Sequence, residues 1–154
     1  MLSVGVAVIS VIGCGEGTNS ETAYNTERDV TTINGSVPTG EMLPEQEVTT
    51  MLDTIDANGN RLVIFKGTRM AGSRAAIHTH KYGGHTCVLS GVITDFVERH
   101  DVMEFPAGTC YYMPPNTLMS AANLGAEDAV LIDTFNQPLG TPFTTIREPG
   151  SYGD

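Results

Sequence analysis

Three of the four histidines in this chain lie within eight residues of one another. His78 and His80 are two positions apart, and His85 follows a Gly83-Gly84 pair. Because alternate residues of a β-strand face the same side, a strand here would aim both imidazoles of His78 and His80 at one point. A second strand, returning from the glycine turn, would bring His85 toward that point. Three imidazole ligands suit Zn, Cu, Fe or Ni better than Ca or Mg.

A second interpretation of the His-x-His pair is that it lies on the solvated face of a strand, as isolated polar pairs often do. The nearby third histidine favours a metal site instead. His100 lies in the charged segment Glu98–Asp101, and we expect it to be solvated.

Short runs rich in Val, Ile, Thr, Phe and Tyr must position these histidines. Gly, Pro, Asn and Asp separate the runs, as is typical of many brief strands joined by turns. The predicted strands are 47–55, 61–67, 74–80, 86–89, 92–98, 110–113, 118–123 and 129–135. Asp56-Ala57-Asn58-Gly59 predicts a hairpin turn between the first two. With 154 residues, the chain is predicted to form one all-β domain, a single antiparallel β-barrel or jelly roll.

The charge balance and the missing motifs exclude several function classes. Eighteen acidic and eight basic side chains give a formal net charge of −10, which would repel a nucleic acid. The sequence contains no Ser-His-Asp order, phosphate-binding glycine loop or pair of catalytic carboxylates. Nucleophilic hydrolysis, nucleotide chemistry and retaining glycosidase chemistry therefore have no support.

The amino-terminal segment has the character of a targeting signal. Residues 1–13 are uncharged and nearly all apolar or small, and Val11–Cys14 resembles the lipobox at which bacterial lipoproteins are cut and lipidated. This predicts a lipid anchor at Cys14, a polar linker over 15–43 and a folded domain over 44–154 in the bacterial cell envelope or periplasm. The segment lacks a basic n-region, so the alternative is that residues 1–13 form a buried strand of a cytoplasmic protein.

Two segments resemble the motifs of the cupin superfamily. Residues 72–91 resemble its first motif, with Gly72, the His78-x-His80 pair and Gly91 at the family spacing. Residues 108–123 resemble its second motif, and sixteen residues separate Gly91 from Gly108, as in small bacterial cupins. The resemblance implies a cupin barrel, and implies little about the reaction because cupins perform many.

This chain departs from the cupin motifs at three positions. Gly84 stands where the family has a carboxylate, so His85 replaces that ligand only if the glycine turn or a bulge restores its register. Asn116 replaces a glycine, a change that the turn tolerates because Asn adopts left-handed backbone readily. Met119 replaces the third family histidine. Its thioether is either a soft ligand that favours copper or apolar filling of the barrel.

Three further residues are candidates for a substrate pocket. Arg69 is a charged residue beside a strand-like run, and an inward arginine would bind a carboxylate. Of the two adjacent tyrosines, Tyr112 shares a face with Cys110 and is the one expected to reach a ligand. Asn123 is expected on the same face as Met119.

The cysteines allow two interpretations. In an oxidising compartment Cys87 and Cys110 are candidates for a disulfide. Both also lie in strand-like runs, where free cysteines commonly pack as small hydrophobic residues. The sequence leaves this open, because pairing depends on distance in the fold.

Together these features predict a metal-binding cupin that acts on a small molecule, with oxygenase-type chemistry at a three-histidine site. The alternatives are a non-catalytic envelope protein that binds copper or another metal, and a metal-free ligand-binding barrel. The expected cofactor is one Fe, Cu, Zn, Ni or Mn ion, and copper if Met119 is a ligand. The expected partners are a small molecule, a membrane through Cys14 and a second copy of the chain.

Overall fold

The computed structural model describes residues 22–24 and 29–152, and within these ranges the regular structure is entirely β. The strands are β1 (Thr22–Tyr24), β2 (Glu41–Met42), β3 (Gln46–Ile55), β4 (Asn60–Arg69), β5 (Ser73–Arg74), β6 (His78–Thr79), β7 (Gly84–Ser90), β8 (Val92–Val97), β9 (Met103–Pro106), β10 (Cys110–Met113), β11 (Met119–Ala122), β12 (Ala129–Pro138) and β13 (Thr144–Ile146). The prediction of an all-β fold is confirmed.

These strands form two sheets. One contains β1-β13-β6-β11-β5-β2 in that order, with β8 paired to β11 and β9 paired to β8. The other has the order β10-β7-β12-β4-β3. Most pairs are antiparallel, whereas β1 with β13 and β2 with β5 are parallel. Strands that are adjacent in space are often distant in sequence, as in a jelly roll with its core between two sheets.

The predicted hairpin is present between β3 and β4. Asp56 Oδ1 accepts hydrogen bonds from the backbone N–H groups of Asn58 (2.8 Å) and Asn60 (2.9 Å). Gly59 adopts a φ of +80°, which a glycine reaches without steric cost. The strands are longer than the sequence predicts, because backbone pairing continues beyond the apolar run to Arg69.

Side chains of both sheets meet in one apolar core. Its buried members are Val63, Val88, Ile93, Val97, Tyr111, Met113, Met119, Ala129, Leu131, Phe135 and Phe143. Burial of their apolar surface is the main favourable term in folding, at about 25 cal/mol for each Å² removed from water.

Part of the predicted linker is paired into the first sheet. β1 pairs with β13, β2 pairs with β5, and Ile33 is buried. Strand addition needs only backbone N–H and C=O groups, so a segment poor in apolar residues can still join a sheet. Residues 1–13 and Cys14, with the predicted signal and lipid anchor, lie outside the described residues. In the part that is described, no helix has the length and apolar character needed to cross a membrane.

Cys87 and Cys110 form a disulfide, which decides between the two interpretations of these cysteines. They lie directly opposite each other on the paired strands β7 and β10. The bond closes a loop with a sequence separation of 23.

Replacing both cysteines with serine is expected to lower the free energy of unfolding by about 3 kcal/mol, because the open chain regains loop entropy when unfolded. Urea denaturation with and without dithiothreitol measures this. The reductant should shift the wild-type midpoint and leave that of the double variant unchanged. A wild-type curve that does not respond to reductant would contradict the expectation.

Candidate metal centre and its cavity

The His-x-His pair lies at the centre of the first sheet. His78 belongs to β6, between Met119 of β11 and Ile146 of β13. His80 follows the strand, and its backbone carbonyl accepts a hydrogen bond from the N–H of Asn116 at 2.8 Å. Asn116 has a φ of +53°, so the predicted tolerance of asparagine at this turn is confirmed. Both histidines are buried.

The carboxy-terminal segment holds the backbone immediately before His78. Glu148 accepts a hydrogen bond from the N–H of Ile77 (2.8 Å) and binds Arg74 through both of its carboxylate oxygens, at 2.7 and 2.8 Å. The hydroxyl of Tyr152 accepts a hydrogen bond from the N–H of Ala76 at 2.7 Å. Residues far apart in sequence thereby fix the position from which the His78 side chain extends.

The two imidazoles are oriented by backbone carbonyl groups. Nδ1 of His78 lies 2.7 Å from the carbonyl oxygen of Ala76, and Nδ1 of His80 lies 2.7 Å from that of Phe143. A carbonyl oxygen only accepts hydrogen bonds, so each Nδ1 must carry a proton and donate it. In the neutral rings, both Nε2 atoms are therefore free of hydrogen. These two Nε2 atoms are 3.1 Å apart.

Burial keeps the pair neutral. Loss of solvent lowers the pKa of His78 to about 3, with a smaller contribution from the neighbouring His80. Loss of solvent also lowers the pKa of His80 to about 4. Two lone pairs thus face each other in a buried site, which favours a cation between them. Two imidazole nitrogens at about 2.0–2.1 Å from one ion, in tetrahedral to octahedral geometry, are about 2.9–3.4 Å apart. The residues present therefore fit a metal ion.

The histidine pair opens into a cavity of about 580 Å³ between the two sheets. Its apolar walls include Phe65, Leu131, Phe135, Phe143 and Ile146. Its polar lining includes Glu45, Arg69, Thr86, Tyr111 and Asp133, and exposed residues of β3 and β4 lie toward solvent. A mostly apolar cavity with a few convergent polar groups is typical of a small-molecule site.

Known structures share this architecture. A conserved protein with a double-stranded β-helix domain from Klebsiella pneumoniae is 23% identical, with a TM-score of 0.51, over 65% of this chain and 85% of that one. An RmlC-like cupin family protein from Methanocaldococcus jannaschii is 16% identical, with a TM-score of 0.52, over 61% of this chain and 81% of that one. The chain therefore has the double-stranded β-helix fold that cupins have. A DMSP lyase from Ruegeria pomeroyi is similar to this chain at 14% identity and a TM-score of 0.56, over 70% of this chain and 54% of that one.

No family model matches the sequence, and no curated protein matches it closely. The similarity to these known structures is therefore a similarity of fold. The side chains of the site are described from this chain alone.

The structure does not bring His85 to the cupin histidine pair. On β7 the residues Gly84 and Thr86 are buried, whereas His85 is exposed and its ring lies 5.2 Å from that of Tyr112. The pairing of β7 with β10 is regular at His85, and the irregularity with β12 occurs near Val130. The register shift that a ligand role requires is therefore absent at His85, and the predicted three-histidine set is not formed.

Gly84 occupies the position of the missing cupin carboxylate, and its surroundings leave no space for one. A Cβ atom there would lie 2.8 Å from the methyl group of Met113 and 2.8 Å from the ring of Phe135. Phe135 also packs against His80, with ring centres 5.0 Å apart. In this chain, apolar side chains from other strands therefore fill the volume of that ligand.

Met119 and two of the predicted pocket residues lie outside the cavity. Met119 is buried among the apolar core residues, directly opposite His78 on the paired strand, and is not among the residues that line the cavity in the described chain. Asn123 donates to the carbonyl groups of Arg69 and Glu127 and accepts from the N–H of Gly125, so it stabilises a turn. Tyr112 is exposed on the outer face.

Tyr111 takes the inward position predicted for Tyr112, and Arg69 lines the cavity as predicted. Alternation required one tyrosine to face inward but did not decide which one. Glu45 is a further cavity residue that the sequence did not indicate, since it precedes β3 in an ordinary polar segment. Asp133 could have been recognised as a candidate cavity residue from the sequence, because it is a charged residue inside an apolar strand.

Asp95 is a buried carboxyl on β8, opposite Ala121 of the cavity wall. Burial raises its pKa from 3.8 to about 7. The unfolded chain therefore ionises Asp95 at a lower pH than the folded protein does. The contribution of Asp95 to the free energy of unfolding is therefore greatest below pH 3.8 and decreases as the pH rises toward about 7.

Asp95→Asn should remove this loss and raise the free energy of unfolding by about 2–4 kcal/mol at about pH 8, with little effect at about pH 4. Thermal and urea denaturation across this range provide the measurement, and Asp101→Asn is the control because Asp101 is exposed. A pH profile identical to that of the wild type would show that Asp95 is ionised in the folded state.

Proposed function

We propose that this cupin binds one transition-metal ion through His78 and His80 and acts on a small molecule in the adjoining cavity. The observation that carries the proposal is the pair of hydrogen-free Nε2 atoms 3.1 Å apart, each held by a backbone carbonyl behind its ring. Hydrogen bonds of this kind orient histidine ligands in metal proteins.

The chain's contribution to such a centre is two imidazoles. Among the described residues, no group of three or more His, Cys, Asp or Glu side chains is placed to hold an ion together. The remaining coordination positions would be open to water and substrate, which is the arrangement of catalytic rather than structural sites. Imidazole ligands favour Zn, Cu, Fe or Ni, and copper gains no support from Met119.

When bound, the ion would act as a Lewis acid on an oxygen of the substrate. Side chains of the protein would supply the other features of the site: its apolar wall, a cation and groups that transfer protons. Phe65, Phe135 and Phe143 pack against one another and form an apolar part of the cavity wall. Arg69 offers a cation to an anionic group, and Glu45 with Asp133 can accept and return a proton. The DMSP lyase with this fold supports an enzymatic function for such a barrel.

Metal content tests this proposal. The protein is purified anaerobically, without a histidine tag or chelator, and its metals are measured by elemental analysis. We expect about one equivalent of a transition metal, and less than about a tenth of an equivalent would overturn the proposal. Incubation with zinc, iron, copper and nickel in turn then identifies which ion restores full occupancy after dialysis against a chelator.

We also propose that the protein resides in an oxidising compartment of the cell envelope. The Cys87–Cys110 disulfide supports this location, because such bonds persist in the periplasm and are rare in the cytosol. The lipobox-like segment ending at Cys14 agrees with it. Globomycin treatment of expressing cells tests the lipoprotein step, since it should cause the uncleaved precursor to accumulate. No change in chain mass would contradict it.

A further inference from the structure

A polar cluster in the cavity has chemistry of its own, separate from the histidine pair. It consists of Glu45, which precedes β3, Arg69 at the end of β4, Thr86 on β7 and Asp133 on β12. All four side chains line the same cavity as His78. The cluster lies within an otherwise apolar part of the barrel, where unpaired charges are costly.

Glu45 and Asp133 are held against each other. Thr86 donates its hydroxyl to Asp133 Oδ1 at 2.5 Å. Glu45 lines the same cavity beside Asp133, and the interaction between the two carboxyls raises the pKa of Glu45. A Cβ atom on Gly67 would lie 2.8 Å from Glu45 Oε2, so the glycine leaves the space that Glu45 occupies. Two neighbouring ionised carboxylates repel each other, which favours one proton held by the pair.

Arg69 is a buried cation with unused donors. It is 6% exposed, and its Nη1 donates to the carbonyl of Leu43 at 2.7 Å. Its Nη2 lies 3.9 Å from Glu45 Oε1, beyond hydrogen-bond length, and its Nε has no acceptor among the described residues. Buried guanidinium groups normally satisfy their donors. Since Nε is itself buried, Nη2 is the donor of this cavity-lining arginine that is suited to an anionic oxygen of a ligand.

We propose that Glu45 and Asp133 are the proton-transfer pair of this cavity and that Arg69 binds the carboxylate of the substrate, a small organic acid with a C–H bond next to a carbonyl group. This inference rests on the proposed function and names its substrate class. The reaction class is enolisation by proton transfer at that carbon, which differs from the oxygenase chemistry that the sequence predicts.

The reaction leaves the number of protons held by Glu45 and Asp133 unchanged. The ionised carboxylate takes the proton of the substrate C–H, and the electron pair of that bond forms the C=C bond of an enolate while the carbonyl π pair moves onto oxygen. Return of a proton from the pair to that carbon restores the carbonyl group. The pair ends with the one proton it began with, so no oxidant or reductant is needed.

The electrostatics of the cavity support a shared proton at neutral pH. Burial, followed by the charge of Asp133, raises the pKa of Glu45 to about 8, and Arg69 partly opposes this. Burial also raises the pKa of Asp133, opposed by Thr86 and Arg69. The other ionisable groups of the cavity are the neutral His78, His80, Tyr111 and Tyr152, and the Arg61–Asp53 pair in the part lined by β3 and β4.

Deuterium exchange tests the chemistry. Pyruvate, a 2-oxo acid with C–H bonds next to its carbonyl, is incubated with zinc-loaded protein in D₂O, and loss of its methyl signal is followed by proton NMR. We expect exchange well above the buffer rate, reduced about 100-fold in Glu45→Gln and in Asp133→Asn. Asp53→Asn is the matched control, since Asp53 is a cavity carboxylate bound to Arg61, and should change the rate by less than about twofold. Exchange no faster than buffer, or unaffected by both variants, would overturn the proposal.

Arg69→Gln should raise the pyruvate concentration for half-maximal exchange about tenfold, because a charge-assisted contact is lost. Arg61→Gln is its control. Equal effects of the two variants would exclude Arg69 as the specific anchor.

A measurement without metal separates this inference from the metal proposal. Carbon-13 NMR of labelled carboxyl groups in chelator-treated protein should show one proton retained by Glu45 and Asp133 at neutral pH. Two fully ionised carboxylates would contradict the pair even if elemental analysis finds the metal. A shared proton in a protein that binds no metal would overturn the metal proposal alone.

Discussion

Replacing His78 with alanine is expected to lower the affinity of the protein for zinc by about 100-fold. The described chain supplies two imidazoles to the proposed centre, so the variant retains one, and a single imidazole cannot chelate an ion. His80→Ala should have the same effect, because the two Nε2 atoms face one point. Competition with a chromophoric chelator measures the dissociation constants of wild type and variants under identical conditions.

Two control variants make this test specific. His85→Ala removes a histidine that is seven residues away in sequence but lies on the outer face of the barrel. Met119→Leu removes a thioether that is packed in the core. Both should bind zinc as the wild type does. Loss of zinc in His85→Ala comparable with that in His78→Ala would return His85 to the ligand set and require a different register of β7.

Glu148→Ala is expected to lower the free energy of unfolding by about 3–5 kcal/mol. Glu148 and Arg74 are both buried and bind through two hydrogen bonds, of 2.7 and 2.8 Å. Removal of the carboxylate leaves the guanidinium buried without its counter-charge, and it also frees the N–H of Ile77. Urea denaturation followed by far-ultraviolet circular dichroism gives the change in stability.

The chain offers a matched comparison in its exposed ion pair. Asp53 and Arg61 are also joined by two hydrogen bonds, of 2.9 and 2.6 Å, but the side chain of Asp53 is 43% exposed. Because water screens such a pair, Asp53→Ala should change stability little. Equal destabilisation by Asp53→Ala and Glu148→Ala would show that burial does not govern the strength of these pairs.

A second measurement links Glu148 to the metal centre. The backbone segment that it holds carries the carbonyl of Ala76, which orients the ring of His78. We expect weaker zinc binding in Glu148→Ala, measured at a temperature where the variant remains folded. A double variant, Arg74→Met with Glu148→Leu, should recover much of the stability because no charge is left buried. Its zinc affinity should stay low, since the hydrogen bond to Ile77 remains absent.

Features governed by neighbouring residues followed from the sequence alone. The two-residue period of a strand brings the imidazoles of His78 and His80 to one point, and the structure places them 3.1 Å apart. The hairpin at Asp56–Gly59 and the left-handed backbone of Asn116 also depend on the residue and its immediate neighbours. Short-range steric preferences decide these features, so they are available before the chain is folded.

The direction in which the His85 side chain faces depended on the pairing between strands. Whether it faced the metal or solvent required the register of β7 against β10 and β12. A shift of one residue reverses the face of every side chain, and the sequence of one strand does not specify its register. The side chains of Met113 and Phe135 that fill the space beside Gly84 come from two other strands.

The sequence by itself determined the β fold, the histidine pair and the acidic character of this protein. Only the tertiary structure decided that Glu45 meets Asp133, that Arg69 has donors to spare and that Glu148 holds the backbone before His78. Each of these contacts joins residues that are distant in the chain. Their chemistry arises from burial, because removal from water raises the pKa of Glu45 and Asp133, lowers that of His78 and His80 and strengthens buried hydrogen bonds.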